Sequence, residues 1–161
     1  MKIMIKKEDY VRLYIISKKI NEQNLNDDEI ADIKINYYSY LTIYHNHHSN
    51  YLEASRCYRI IWNTLITTKK MIPEMSEFGY SLDPLCALSN YVGFLVLHPW
   101  SPDTEAELQT LHDDEKIEKN ESVYHMITNF LSKEIVPTEF ATYRLDEFEL
   151  FRETYHNGQV H

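Results

Sequence analysis

The sequence predicts an all-α protein, a right-handed α-solenoid of helical hairpins with TPR-like repeats. Glycine occurs only 3 times in 161 residues, so few positions can take the positive φ that hairpins and bulges require. Apolar residues recur at spacings of three and four, and no segment alternates as a half-buried strand does. Short polar connections separate the helical segments, and helices linked in this way bury their apolar faces by stacking on their neighbours. We therefore expect residues 1–161 to be a single solenoid segment of a longer chain.

The first amphipathic helix is expected over residues 8–20, with a polar side at Lys18 and Lys19. Its apolar face consists of Tyr10, Leu13, Tyr14, Ile16 or Ser17, and Ile20. The next helix should begin near Asp27, because Asn26 can cap it and acidic residues fill its first turn, where the helix dipole favours them. Its inward stripe is Ile30, Ile33, Tyr37, Leu41 and Tyr44.

A second stripe follows the polar string HNHHSN at residues 45–50. This stripe, Ala54, Tyr58, Ile61 and Leu65, is spaced four, three and four. The two helices should form an antiparallel hairpin, because the nearest surface that can cover each stripe is its neighbour. Six of the 13 tyrosines lie in or beside this hairpin, where rings can fill gaps while hydroxyls reach the edge; they are Tyr37, Tyr38, Tyr40, Tyr44, Tyr51 and Tyr58.

A capping residue followed by proline marks the predicted start of each of the next two helices. Residues 69–80 contain Pro73 and Gly79 and are predicted to be a connection. Asp83 and Pro84 then supply a cap and a first-turn proline. The helix that follows is apolar almost all round and should be central; its stripe is Leu85, Leu88, Val92 and Leu95, widened by Tyr91, Phe94 and Leu97. It should stop near His98, because Pro99 disfavours helical geometry in the residue before it.

Three further helices are predicted towards the end of the chain. Ser101 and Pro102 repeat the start signal for a helix with Leu108 and Leu111 inward. Residues 121–132 should form another helix, with an inward face of Val123, Tyr124, Ile127 and Leu131. Pro137 ends that region, and a last helical segment is expected over residues 146–155.

The charge distribution argues against nucleic acid and anionic membranes as partners. The net charge is −9, and both of those partners present dense negative charge. Residues 1–20 hold six Lys or Arg and two acids, a net +4, which leaves 10 minus 23, or −13, for the remainder. The N-terminus is too charged for a signal peptide, and the uncharged run 84–102 is too interrupted for a membrane span. We expect a soluble intracellular protein.

The three histidines of HNHHSN raise the question of a metal site. His45 and His48 could share a helix face, but His47 points elsewhere, and the nearest additional ligand is Cys57. The sequence contains no Cys-x-x-Cys or His-Glu-x-x-His motif. We therefore predict a solvated turn, no metal and no cofactor, with a metal centre on His45, His48 and Cys57 as an alternative. Cys57 and Cys86 lie in apolar helical patterns and are interpreted as core thiols.

The sequence also lacks the motifs of common enzyme classes. There is no Gly-x-Ser-x-Gly and no glycine-rich phosphate loop. The acidic run 103–121 has eight acids and two lysines and is interpreted as a solvated helix face. Trp100, on a proline-bounded turn, is the candidate partner-binding residue, because exposed aromatic side chains commonly anchor interfaces.

Three strings resemble the regulatory subunit 12 family of the 26S proteasome lid, a PCI family. They are EDYVRLYIISKKI at 8–20, YYSYLTIYHNHHSNYLEASRCYRIIWNT at 37–64 and, more loosely, ALSNYVGFLVLHPWSPDTEAELQTLHDDEKIEK at 87–119. The resemblance implies a scaffold without an active site, placed before a PCI winged-helix module that this sequence does not contain. It also implies other lid subunits and the ATPase base as partners, and residence in the cytoplasm and nucleus.

Two alternatives to a proteasome scaffold remain open from the sequence: a scaffold of a paralogous PCI complex, and the metal-binding helical protein centred on His45, His48 and Cys57. The same architecture serves the paralogous subunit of the COP9 signalosome and PCI proteins of translation initiation. A truncated solenoid also exposes its end faces, so the fragment is a candidate for self-association.

Overall fold

A computed structural model of the protein describes residues 1–25, 27–69, 72–75 and 80–132. Within them, the helices are α1 (Lys2–Lys6), α2 (Tyr10–Ser17), α3 (Ala31–His47), α4 (Tyr51–Thr68), α5 (Pro84–Leu97), α6 (Pro102–His112), α7 (Glu115–Glu118) and α8 (Glu121–Leu131). Two turns of 3₁₀ helix, Glu22–Leu25 and Asp28–Ile30, connect α2 to α3. Strands β1 (Ile72–Met75) and β2 (Tyr80–Leu82) form an antiparallel pair between α4 and α5. Helices α3, α4 and α5 stack side by side in chain order, which confirms the predicted all-α solenoid.

Helices α5 and α6 begin where the proline signals predict. The Asp83 side chain accepts a hydrogen bond from the Cys86 amide at 2.7 Å, with Pro84 in the first turn. Ser101 caps α6 in the same way, through a 3.2 Å bond from the Thr104 amide. Each cap satisfies a backbone donor that a helix start leaves without an intrahelical partner. Helix α5 also ends at Leu97, with His98 as the predicted boundary residue.

The start of α3 differs from the prediction. The Asp27 side chain accepts a bond from the Glu29 amide at 3.0 Å, which belongs to a 3₁₀ turn rather than to the first turn of α3. The regular helix therefore begins only at Ala31, and Asn26, the predicted cap, lies outside the described residues.

The predicted inward stripe of α3 is wrong at Ile33, which is 58% exposed. Ile35 is fully buried instead; it lies two residues further along the helix, where its side chain projects about 200° away from that of Ile33. The buried face consists of Ala31, Ile35, Tyr37, Tyr38, Ser39, Leu41 and Thr42. Two adjacent tyrosines widen this face beyond a single stripe.

The stripe predicted for α4 is confirmed. Ala54, Tyr58, Ile61 and Leu65 are all at most 1% exposed. A tight turn, in which Ser49 takes a left-handed φ of 54°, joins α3 to α4. Because the connection is so short, the two helices run antiparallel and cover each other's faces.

Helix α5 is central, as its composition predicts. Every residue from Ala87 to Leu95 is buried, although Leu85 at its start is 53% exposed. The Phe94 ring stacks on Tyr58 of α4, with centroids 5.7 Å apart and planes 11° apart. The Ser55 hydroxyl donates a 3.0 Å hydrogen bond to the Tyr91 carbonyl across the same interface.

The connection between α4 and α5 contains the strand pair, which the sequence did not predict. Ile72 lies opposite Leu82, and Met75 lies opposite Tyr80, with an irregular register between them. The strands have four and three residues, too few for alternation to be recognised. They are an addition to the connection and leave the helical stack intact.

The last described helices pack against α5 and against one another. Helix α8 buries Val123 and Ile127 as predicted, together with Met126, whereas Tyr124 and Leu131 are only partly buried. Helix α7 is too short to have been predicted. Pro137 and the helix predicted over 146–155 lie outside the described residues. Among the described helices, none has the length and apolar character needed to span a bilayer.

Replacing Phe94 with Ala should destabilise the fold by about 3–5 kcal/mol, since it removes a fully buried ring and leaves a cavity. Urea unfolding followed by circular dichroism measures this loss. Leu85→Ala, on the same helix but exposed, is the matched control and should change stability by less than about 0.5 kcal/mol. Equal effects of the two substitutions would contradict the assignment of α5 as the central helix.

Candidate interaction surface

The histidine-rich end of α3 holds α2 against the hairpin through stacked rings. His47 stacks on Tyr10 with centroids 3.8 Å apart and planes 15° apart. The rings of Tyr14 and Tyr44 stack with centroids 5.3 Å apart, and the centroid of the His48 ring lies 4.4 Å from that of Tyr44. We call these five side chains the aromatic joint. Ring pairs of this kind contribute about 0.5–1.5 kcal/mol beyond the burial of their area, so His47 and His48 have a packing role.

Two tyrosine hydroxyls strengthen the attachment of the N-terminal segment. Tyr37 donates to the Ser17 carbonyl at 3.3 Å, and Tyr38 donates to a Glu22 carboxylate oxygen at 3.2 Å. Burial, and secondly the charge of Glu22, raises the pKa of Tyr37 to about 12. The same two causes raise the pKa of Tyr38. Both hydroxyls therefore remain protonated donors near neutral pH.

His45 occupies a different environment from the other two histidines. It lies in the last turn of α3 and is only partly exposed. Its Nδ1 atom is buried, and no group in the described part of the chain hydrogen-bonds to it. Burial is the largest cause and lowers the pKa of His45; the charge of Glu53 opposes this shift, whereas the charges of His48 and Lys18 act in the same direction as burial.

The histidines do not converge on a metal-binding geometry. Within residues 1–25, 27–69, 72–75 and 80–132, no three His, Cys, Asp or Glu side chains lie close enough to hold a metal ion. The polar turn predicted at HNHHSN is shorter than the string, because His45 and His47 belong to α3 and His48 is its C-terminal cap. The alternative of a metal centre on His45, His48 and Cys57 receives no support from this arrangement.

The two cysteines lie in unequal surroundings. Cys57 is 6% exposed, and burial raises its pKa to about 12. Its interpretation as a core thiol is therefore confirmed. Cys86 is only partly buried, and its sulfur lies 3.4 Å from the Asn90 side-chain nitrogen. The core interpretation holds for Cys86 only in part.

A groove of about 480 Å³ lies between α4 and α6. Glu107 of α6 accepts a 2.8 Å hydrogen bond from the Arg59 guanidinium of α4 and another from the Tyr91 hydroxyl of α5. Burial and then the bond to Glu107 raise the pKa of Tyr91. This network ties three helices together. The groove is lined by Arg59, Trp62, Asn63, Tyr91, Ala106, Glu107, Thr110, Leu111 and Asp114.

Sequence reasoning did not identify this groove. Arg59 and Glu107 are 48 positions apart, and no local pattern connects an arginine on one helix to a glutamate two helices later. Glu107 was included only in the acidic run 103–121. Most of that run is exposed as predicted, but the Glu107 carboxylate accepts hydrogen bonds from Arg59 and Tyr91.

Trp100 lies in the turn between α5 and α6 and is 47% exposed. The sequence correctly placed a large aromatic side chain at this surface turn. Its role as a partner-binding residue stays a prediction.

The outward side of α2 is a second surface that the sequence interpretation missed. Val11 is 72% exposed and Ile15 is 49% exposed, whereas Leu13 and Ser17 face the core. The prediction that Tyr14 faces inward is wrong: its side chain is 42% exposed and stacks on Tyr44 towards the end of α3. The spacing of four between Val11 and Ile15 was the available signal. Helix α2 is therefore apolar on two sides, only one of which is covered within the described residues.

Residues 1–70 match a protein family described as PSMD12/CSN4, N-terminal. The chain is 34% identical over 77 residues to the 26S proteasome non-ATPase regulatory subunit 12 of Dictyostelium discoideum, an alignment covering 48% of this chain and 17% of the relative. It is 24% identical over 173 residues to homolog B of that subunit in Arabidopsis thaliana, covering 92% and 37%. It is also 24% identical over 136 residues to the 26S proteasome regulatory subunit RPN5 of Saccharomyces cerevisiae, covering 84% and 28%.

These matches confirm the resemblance to the regulatory subunit 12 family. The matched region 1–70 contains α1 to α4, and therefore both the aromatic joint and the α3–α4 hairpin. The chain spans between about a sixth and somewhat over a third of the length of these curated relatives.

The low pKa of His45 should make stability depend on pH. The ordinary value is 6.5, and because burial lowers the folded value, the unfolded chain takes up the proton first as the pH falls. The stability that neutral His45 contributes is fully present above pH 6.5 and is lost as the pH falls through that value towards the folded pKa.

Between pH 7.5 and pH 5, the His45→Gln variant should therefore lose less stability than the unaltered protein. The ordinary histidine pKa of about 6.5 lies between these two pH values. Urea unfolding at each pH measures the free energy of unfolding of both proteins. His125→Gln, an exposed position on α8, controls for the loss of a histidine in general. Parallel pH profiles for His45→Gln and the unaltered protein would show that His45 is not disfavoured in its charged form.

Proposed function

We propose, from the premise that this chain is related to 26S proteasome regulatory subunit 12, that it is a non-catalytic scaffold segment of the regulatory-particle lid. The match of residues 1–70 is the observation that carries the proposal. In the proposed role the segment supports assembly of the lid, and thereby ubiquitin-dependent protein degradation. Other lid subunits and the ATPase base are its proposed partners, and the cytoplasm and nucleus its proposed locations.

The geometry supports a mechanical role. Helices α3, α4 and α5 form a continuous stack in which each helix covers the next, and polar bonds such as Arg59–Glu107 join helices that are distant in sequence. Such a stack holds its two ends at a fixed distance and orientation, because its packed interior is dense and resists deformation. The polar outer surfaces and the exposed apolar side chains at Val11, Ile15 and Trp100 remain available for contacts with other chains.

A second candidate is the corresponding subunit of the COP9 signalosome. The family description includes CSN4 together with PSMD12, so the matched region by itself is compatible with either complex. The curated relatives described above are proteasome subunits, and for this reason the proteasome is preferred.

Crosslinking mass spectrometry of the tagged full-length protein, purified under native conditions from its own cells, tests the proposal. We expect crosslinks from α1 to α8 to lid subunits of the 26S proteasome. The Phe94→Ala variant should be retrieved with fewer partners because its arm is destabilised, whereas Leu85→Ala should retain them. Retrieval of signalosome subunits instead, or of the tagged protein by itself, would overturn the assignment to the proteasome.

A further inference from the structure

The outward side of α2 combines exposed apolar side chains with positive charge. Val11 and Ile15 are four residues apart and therefore lie on the same side of the helix, one turn above the other. Lys18 and Lys19 follow at the end of the helix and are exposed. The Lys18 ammonium lies 5.2 Å from the centre of the Tyr14 ring, which places its charge beside the apolar side chains.

The third cation of this region is already paired. Arg12 forms an ion pair at 3.3 Å with Asp9, the residue whose carboxylate also caps α2. A partner of this surface would consequently place acidic groups opposite Lys18 and Lys19. We call the surface formed by Val11, Tyr14, Ile15, Lys18 and Lys19 the α2 outer face.

We propose that the α2 outer face binds an acidic amphipathic helix of another subunit in the same assembly. The inference rests on the proposed role as an assembly subunit. Val11 and Ile15 would pack against the apolar stripe of the partner helix, and Lys18 and Lys19 would face its acidic flank. With eight residues, α2 is about 12 Å long, a length that matches about two turns of a second helix.

Charge selects a protein partner rather than a phosphate polymer or a lipid surface. Residues 1–20 carry a net +4, but the remaining 141 residues carry −13. A large polyanion approaching α2 would also meet the negative potential of the rest of the chain. A single helix is small enough to contact the basic residues locally.

A second copy of the described segment does not fit as the occupant. Its acidic helix α6 has already buried its apolar residues, with Leu108 at 0% and Leu111 at 7% exposure. The exposed side of α6 therefore presents acids without an apolar stripe. The required partner helix carries both.

Photo-crosslinking in the full-length protein tests the inference. Benzoylphenylalanine is placed in cells at position 11 or 15 of the tagged protein, and at position 33 as a matched control, because Ile33 is also exposed but lies on α3. After irradiation and native purification, mass spectrometry identifies the crosslinked peptides. We expect positions 11 and 15 to crosslink to one acidic amphipathic segment of a co-purified subunit, and position 33 not to reach it.

Two variants that each place a negative charge on the α2 outer face provide the second arm. Ile15→Glu and Lys19→Glu should each lower the yield of this crosslink from position 11 about tenfold, a loss typical of removing a central contact. Ile33→Glu should leave the yield unchanged. Crosslinks to residues 133–161 of the same chain, to a second copy, to a basic segment or to lipid would overturn the inference.

The two proposals fail in distinguishable ways. If the protein assembles with its partners but positions 11 and 15 crosslink to no acidic helix, the inference about α2 is wrong and the scaffold role stands. If no stable partner is retrieved with any variant, the scaffold role is wrong.

Discussion

The close packing of α4 against α5 is the constraint on which the rest of the structure depends. Ser55 of α4 is 1% exposed, and its hydroxyl donates a hydrogen bond to the Tyr91 carbonyl of α5. Tyr58, also on α4, stacks on the Phe94 ring of α5. Because α5 is buried along nearly its whole length, it requires neighbours on every side. Helix α4 supplies one of them, and α6 and α8 supply others.

The N-terminal segment is attached to this core by a different kind of contact. Leu13 is its fully buried anchor, while the aromatic joint and the hydroxyl bonds of Tyr37 and Tyr38 supply the rest. Apart from Leu13, these contacts are stacked rings and hydrogen bonds, whose geometry favours a defined orientation of α2. Within the described residues, that arrangement leaves the opposite side of α2 apolar and exposed at Val11 and Ile15.

Features set by neighbouring residues could be predicted from the sequence. Asp83 with Pro84 and Ser101 with Pro102 mark helix starts through local caps, and the regular spacing of Ala54, Tyr58, Ile61 and Leu65 determines the buried side of α4. The strings that resemble regulatory subunit 12 at 8–20 and 37–64 lie within the family match over 1–70.

Features set by distant contacts could not be predicted. Ile33 and Ile35 are equally apolar, yet Ile33 is 58% exposed and Ile35 is fully buried in the folded protein. The Arg59–Glu107 pair joins residues 48 positions apart. Helices α1 and α7 and the two strands have five residues or fewer, too short to establish a period. The sequence pattern predicts a single apolar face for α2, and the outer face is therefore not part of that prediction.

Native-state hydrogen exchange of the full chain tests the central claim most directly, since it measures the opening free energy of each helix separately. The slowest amides should belong to α4 and α5 and should exchange with the free energy of global unfolding, whereas the amides of α2 should exchange much faster through local opening. Amides in α5 that exchange as fast as those of α2, or faster, would contradict the account.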